Sequence, residues 1–144
     1  MLKSLTAAAI AIMTVTGAAM AEDKPGLVTI VTAPEPQTQL MSMVLTMQSM
    51  QQGASAHILL CGPAGDLALK DAPASATAPQ APRDMSPQGL MTKIIEAGAT
   101  VEVCAIYLPN KGVGADALID GVTAAEPPAM AARLLAPNTR IMSF

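Results

Sequence analysis

Along this chain, short β-branched runs alternate with longer stretches whose apolar positions follow a helical period. Gly26-Leu27-Val28-Thr29-Ile30-Val31-Thr32 reads as a first strand, and Ala33-Pro34-Glu35-Pro36 ends it. Gln37 to Gln52 follows without proline or glycine, and Gly53 closes it as a helix C-cap does. At about 100° per residue, Leu40, Met41, Met43, Val44, Leu45, Met47 and Met50 cover most of that helix, leaving Ser42, Thr46 and Ser49 as a narrow polar strip. So broad an apolar surface predicts burial on two sides, one against a sheet and one against a second subunit.

Ala56 to Cys61 is a second strand, punctuated by Gly62-Pro63, and Ala64 to Lys70 suits a short helix. Asp71 to Arg83, rich in Ala, Pro, Ser and Thr, reads as a mobile excursion within the domain. Ser86-Pro87 opens a second clear helix, serine as N-cap and proline at the first position, with Leu90, Met91, Ile94 and Ile95 inward and Gly98 at its end. Val101 to Leu108 reads as a largely buried strand, stopped by Pro109-Asn110-Lys111-Gly112. Gly114 to Gly121 suits a short helix with Leu118 and Ile119 inward. Pro127-Pro128 opens another, with Met130, Leu134 and Leu135 inward, and Thr139 to Phe144 is a final strand. The order β-α-β-(α)-α-β-α-α-β predicts a three-layer α/β fold, with a small, mostly parallel sheet and helices on both faces.

The first residues lie outside that alternation. Lys3 precedes an apolar run from Leu5 to Val15, and the segment closes with Ala19-Met20-Ala21. A charged start, a short apolar middle and an A-x-A end describe a secretory signal peptide over 1–21, cleaved after Ala21. The run is too short to span a bilayer well. The mature chain, 22–144, is then a single exported domain in the periplasm or outside the cell, with no membrane attachment. Losing Lys3 makes the net charge of −3 one unit more negative. Tyr107 and Phe144 are the only aromatics, so the chain has neither a basic stripe nor a stacking platform for nucleic acid.

Candidate chemistry centres on Cys104, which falls near the carboxyl end of the third strand, the edge where open α/β sheets form sites. Lys111 in the following loop, or the positive end of a short helix near Gly114, would favour its thiolate. Cys61 ends the second strand at the same edge, as a resolving partner or a passive thiol. Glu35, after the first strand, is a candidate proton carrier. Three readings of Cys104 stay open: a reactive thiol, a buried packing residue, and one half of a disulfide, as two thiols in an exported protein suggest. Met41, Met43, Met47 and Met50 offer soft thioethers to Cu(I), although the same spacing suits a core helix. His57, the sole histidine, supports neither a zinc cluster nor a catalytic triad and reads as solvated. Gly112-Val113-Gly114-Ala115-Asp116-Ala117 fits a loose dinucleotide pattern, but the final strand lacks the acidic residue that pattern needs. No cofactor and no resident metal is expected.

The Gly53-Ala54 turn, the helix ending Glu96-Ala97-Gly98-Ala99, Val101-Glu102-Val103-Cys104 followed by Lys111-Gly112, and Leu118-Ile119-Asp120-Gly121-Val122 together resemble the DsrE/DsrF-like family, which includes the TusD-type sulfur-relay subunits. The resemblance covers about Gly26 to Phe144. It implies a flavodoxin-like fold assembling into trimers or hexamers. At the position of Cys104 it implies a cysteine that takes sulfane sulfur as a persulfide from a donor protein and hands it to an acceptor. Export, the methionine-rich helix and Cys61 set this chain apart from those members. In a flavodoxin-like order of 2-1-3, the first strand separates the two cysteine-bearing strands by about 9–10 Å, beyond the roughly 7 Å reach of a disulfide. Two separate thiols are therefore expected. The leading expectation is an exported sulfur carrier or transferase. A non-catalytic oligomeric binding or scaffold protein of the same fold comes second, and a Cu(I)-binding protein third.

Overall fold

The computed structural model describes residues 24–144; the signal peptide expected over 1–21 lies outside the described residues. Five strands form one sheet: β1 (Gly26–Val31), β2 (Ser55–Leu60), β3 (Thr100–Val103), β4 (Val122–Ala124) and β5 (Thr139–Ser143). All pair in parallel, in the order β4-β3-β2-β1-β5. The expected class holds, and the expected strand order does not: β2, rather than β1, lies next to β3.

Helix α1 (Pro36–Gln51) and helix α3 (Pro87–Glu96) pack against each other on one face of the sheet. There Met43, Leu90, Met91 and Ile94 meet Ile58, Leu60, Val101 and Val103. Helix α5 (Pro127–Leu134) covers the other face, where Met130 and Ala125 meet Val28 and Leu59. The alternation within each strand divides its residues between these two cores. Between β2 and α3 the chain makes a 3₁₀ segment over Gly62–Ala68, then the four-residue helix α2 (Ala74–Thr77), which buries Ala76. The Ser86 hydroxyl accepts the Gly89 N–H at 3.1 Å and caps α3 as its sequence predicts.

The polar strip of α1 faces inward. Ser42 and Thr46 are fully buried, whereas Met41 is 51% and Leu45 40% exposed. Their hydroxyls are satisfied in place. Thr46 donates to the Ser42 carbonyl at 2.8 Å, and Thr29 of β1 reaches the Thr46 hydroxyl at 2.7 Å. Small hydroxyl residues let the helix approach the sheet closely, and their hydrogen bonds avoid the penalty for an orphaned buried group.

Three further expectations need correction. The third strand stops at Val103 instead of running to Leu108, and Tyr107–Lys111 forms the short helix α4, capped by Gly112 in the left-handed region at φ 75°. Pro109 falls in the first turn of α4, where a missing N–H costs nothing, so it belongs to the helix and does not block a strand. Leu135, expected inward, is 84% exposed because α5 ends at Leu134 and the chain turns away. The expected helix over 114–121 shrinks to a three-residue 3₁₀ turn, Ala115–Ala117, with Leu118 buried after it.

Candidate functional site

The register Leu60↔Val103 at the ends of β2 and β3 brings the next residues, Cys61 and Cys104, opposite each other. Their Cα atoms are 5.1 Å apart and their sulfurs are joined in a disulfide. This corrects the expectation of two separate thiols. That expectation assumed an intervening strand, and the observed order has none. The backbone fixes both residues: the Cys61 N–H bonds to the Val31 carbonyl at 2.9 Å, and the Cys104 N–H to the Leu60 carbonyl at 2.8 Å. Both side chains are half-buried at the carboxyl edge, packed against the core under α5.

Lys111 does not act as expected. Its Nζ lies 2.7 Å from Asp66 Oδ1, and the Tyr107 hydroxyl donates to the same oxygen at 2.6 Å. The lysine charge is thus committed to a carboxylate in the 3₁₀ segment that follows Cys61. Burial alone would raise the Asp66 carboxyl. The hydrogen bonds from Lys111 and Tyr107, with the ammonium charge, outweigh it and hold the group below its ordinary 3.8. Burial and the Asp66 carboxylate together push the Tyr107 phenol far above its ordinary 10.0. The turn near Gly114 is too short to present a helix end to the cysteines. Glu35, at the N-cap position of α1, is exposed, with no side-chain hydrogen bond or ion pair among the described residues. It shares the carboxyl edge with the disulfide and nothing more.

A second cross-strand contact lies further back on the same two strands. His57, expected in solvent, is only 4% exposed. Its Nε2 lies 2.7 Å from Glu102 Oε2, a contact of ion-pair length without the alignment of a hydrogen bond, and its Nδ1 has no partner among the described residues. Burial, reinforced by the positive charge of Arg133, outweighs Glu102 and lowers the imidazole pKa below 6.5, so the ring is neutral at pH 7. The sequence did hold a signal for this pair: Glu102 sits between two valines of a β-branched run, and a carboxylate there needs a partner.

The methionine line does not form one ligand surface. Met43 is fully buried in the core, while Met41 and Met47 line a cavity of about 780 Å³ between α1 and the 80–85 segment, to which Met85 also contributes. No cysteine lines that cavity. Among the described residues, no three His, Cys, Asp or Glu side chains gather as metal ligands.

Fold and site together define a flavodoxin-like α/β protein, with a five-stranded parallel sheet and a disulfide across the carboxyl ends of two adjacent strands. Solved structures share that fold. MTH1491 from Methanobacterium thermoautotrophicum, a protein of unknown function, is 11% identical with a TM-score of 0.61. YchN from E. coli is 14% identical with a TM-score of 0.67. Each comparison covers 85% of this chain and 100% of the other. Both neighbours have the DsrE-like fold. At these identities the likeness concerns architecture alone. No family model and no curated protein matches the sequence.

Proposed function

We propose that the protein handles sulfane sulfur through the Cys61–Cys104 pair, working from the disulfide rather than from a resting thiol. One observation carries this reading: the pair lies half-buried at the carboxyl edge of a parallel sheet, the usual place for a site in this architecture. Hydrosulfide attacks the Cys104 sulfur, the bond to Cys61 breaks, and Cys61 leaves as a thiolate. Cys104 then carries a persulfide, and the disulfide has been the oxidant. An acceptor protein's thiolate attacks the outer sulfur, and Cys104 departs as a thiolate. Closing the pair again passes two electrons and the thiol protons to a disulfide-bearing oxidoreductase. Cys104 has the acceptor role that the DsrE-like resemblance implies, and Cys61 the resolving role. Lys111 acts on the site through Asp66.

Export fits this chemistry, since disulfides persist in oxidising compartments such as the periplasm. Self-assembly into trimers or hexamers is supported by the exposed Met41 and Leu45 on α1.

The second reading is a non-catalytic binding or scaffold protein whose disulfide only staples the sheet edge. The engagement of Lys111 with Asp66 favours it. Transfer from a small-molecule persulfide to the reduced protein separates the two. A sulfur-carrying protein gains one sulfur on Cys104 by peptide mass mapping, and Cys61→Ser retains it longer because no resolving thiol remains. Absence of added sulfur on Cys104 in Cys61→Ser as well as in wild type leaves the scaffold reading.

A further inference from the structure

The two cysteines are not the only link between the segments they begin. Beyond Cys61 the chain turns into the 3₁₀ segment that carries Asp66, and beyond Cys104 it turns into α4, which carries Tyr107 and Lys111. The turns are short and tied back: Ala64 N–H bonds to the Cys61 carbonyl at 3.3 Å, and Tyr107 N–H to the Cys104 carbonyl at 2.8 Å. One oxygen, Asp66 Oδ1, receives both the Tyr107 hydroxyl and the Lys111 ammonium. The Tyr107 ring lies against Gly65 so closely that any side chain there would collide with it. Tyr107 is 7% exposed, so this packing excludes water from one side of the contact.

We infer that Asp66, Tyr107 and Lys111 are positioning residues for the cysteine pair: they form a non-covalent clasp that keeps Cys61 and Cys104 opposed after the disulfide opens, and so set how readily it closes. The inference rests on the reading that the pair opens in use. Its physical content is linkage. The clasp is easier to form when the disulfide already holds the two segments together, so by reciprocity an intact clasp favours the disulfide. In the open state it raises the effective concentration of one thiol at the other, as any restraint on relative motion does. None of the three residues needs to touch sulfur for this to operate.

The test is the equilibrium between the cysteine pair and reduced and oxidised glutathione, with thiols counted after acid quench and alkylation. It involves no sulfane sulfur, so failure of persulfide transfer leaves it standing as a separate question. Asp66→Ala is expected to lower the equilibrium constant for closure about five- to tenfold, within the range of ordinary coupling between linked sites. Tyr107→Phe and Lys111→Met each lower it less, and Asp66→Asn, which keeps an acceptor for Tyr107, falls between Asp66→Ala and wild type. Glu102→Gln, at the other contact between the same strands, is the control and leaves the constant unchanged. Should Asp66→Ala fail to fold, the Tyr107→Phe/Lys111→Met double variant takes its place with the same expected loss. The inference is overturned if these variants lower the thermal stability of oxidised and reduced protein equally while the closure constant stays within about twofold of wild type, below the coupling range.

Discussion

Strands β2 and β3 are joined by two side-chain links, and the links differ in almost every respect. Toward the amino end, His57 and Glu102 meet without a covalent bond, their side chains 5% and 20% exposed. At the carboxyl end, Cys61 and Cys104 are covalently joined and half-buried. Taking an ionic or polar pair out of water costs much of what its attraction returns, so the inner link is weak evidence of stability. The outer link restrains the unfolded chain and owes nothing to burial. Reagents divide the two in the same way: the inner pair answers to protons, the outer one to sulfur nucleophiles. Position along one strand pair thus decides which chemistry each link can do.

Breaking the outer link has the larger effect. Cys61→Ser or Cys104→Ser opens a loop of sequence separation 43, and urea unfolding is expected to show a loss of about 4 kcal/mol relative to the oxidised protein. Breaking the inner link by Glu102→Ala removes the carboxylate that faces the buried His57 Nε2, at a cost of about 2 kcal/mol by the same measurement. Replacing both residues with apolar ones of similar size restores most of that, because no polar group is then stranded.

Acid sharpens the contrast. The folded imidazole of His57 binds protons less readily than the unfolded one, through burial first and Arg133 second. Its contribution is complete above pH 6.5 and is lost as pH falls below it, toward the lower folded pKa. Stability measured from pH 7.5 to 5 should therefore fall in wild type and flatten in His57→Leu, while the disulfide stays intact at every pH. Asp66→Asn has the smallest effect in this series on the oxidised protein. The Lys111 contact is partly exposed and the disulfide already holds the segments, so under about 1 kcal/mol is expected.

The parts legible in the sequence were those with a local cause. Ser86-Pro87 marked the start of α3, and Gly53 and Gly98 marked helix ends, because caps and positive-φ glycines act within a few residues. β4 went unseen because Val122–Ala124 is too short to show a period. The run into Ile106-Tyr107-Leu108 looked like strand because apolar residues continued past Cys104, yet Ile106 is 71% exposed and Tyr107 opens a helix. Both candidate cysteines were legible as residues at the carboxyl edge. Their pairing was not, since it depends on which strands are neighbours, and no local pattern in 26–104 encodes that order. The Asp66–Tyr107–Lys111 contact was hidden for the same reason: it spans 41 and 45 residues of sequence and exists only once β2 and β3 lie side by side.

The most direct measurement exposes the oxidised protein to hydrosulfide, blocks the thiols that appear, and locates added sulfur by peptide mass mapping. The expected result is one extra sulfur on Cys104 with Cys61 recovered as a blocked free thiol, the reaction slowing as hydrosulfide is withdrawn. Recovery of an unreacted Cys61–Cys104 disulfide under conditions that convert a small-molecule disulfide would contradict it, and would leave the pair as a staple on a DsrE-like fold.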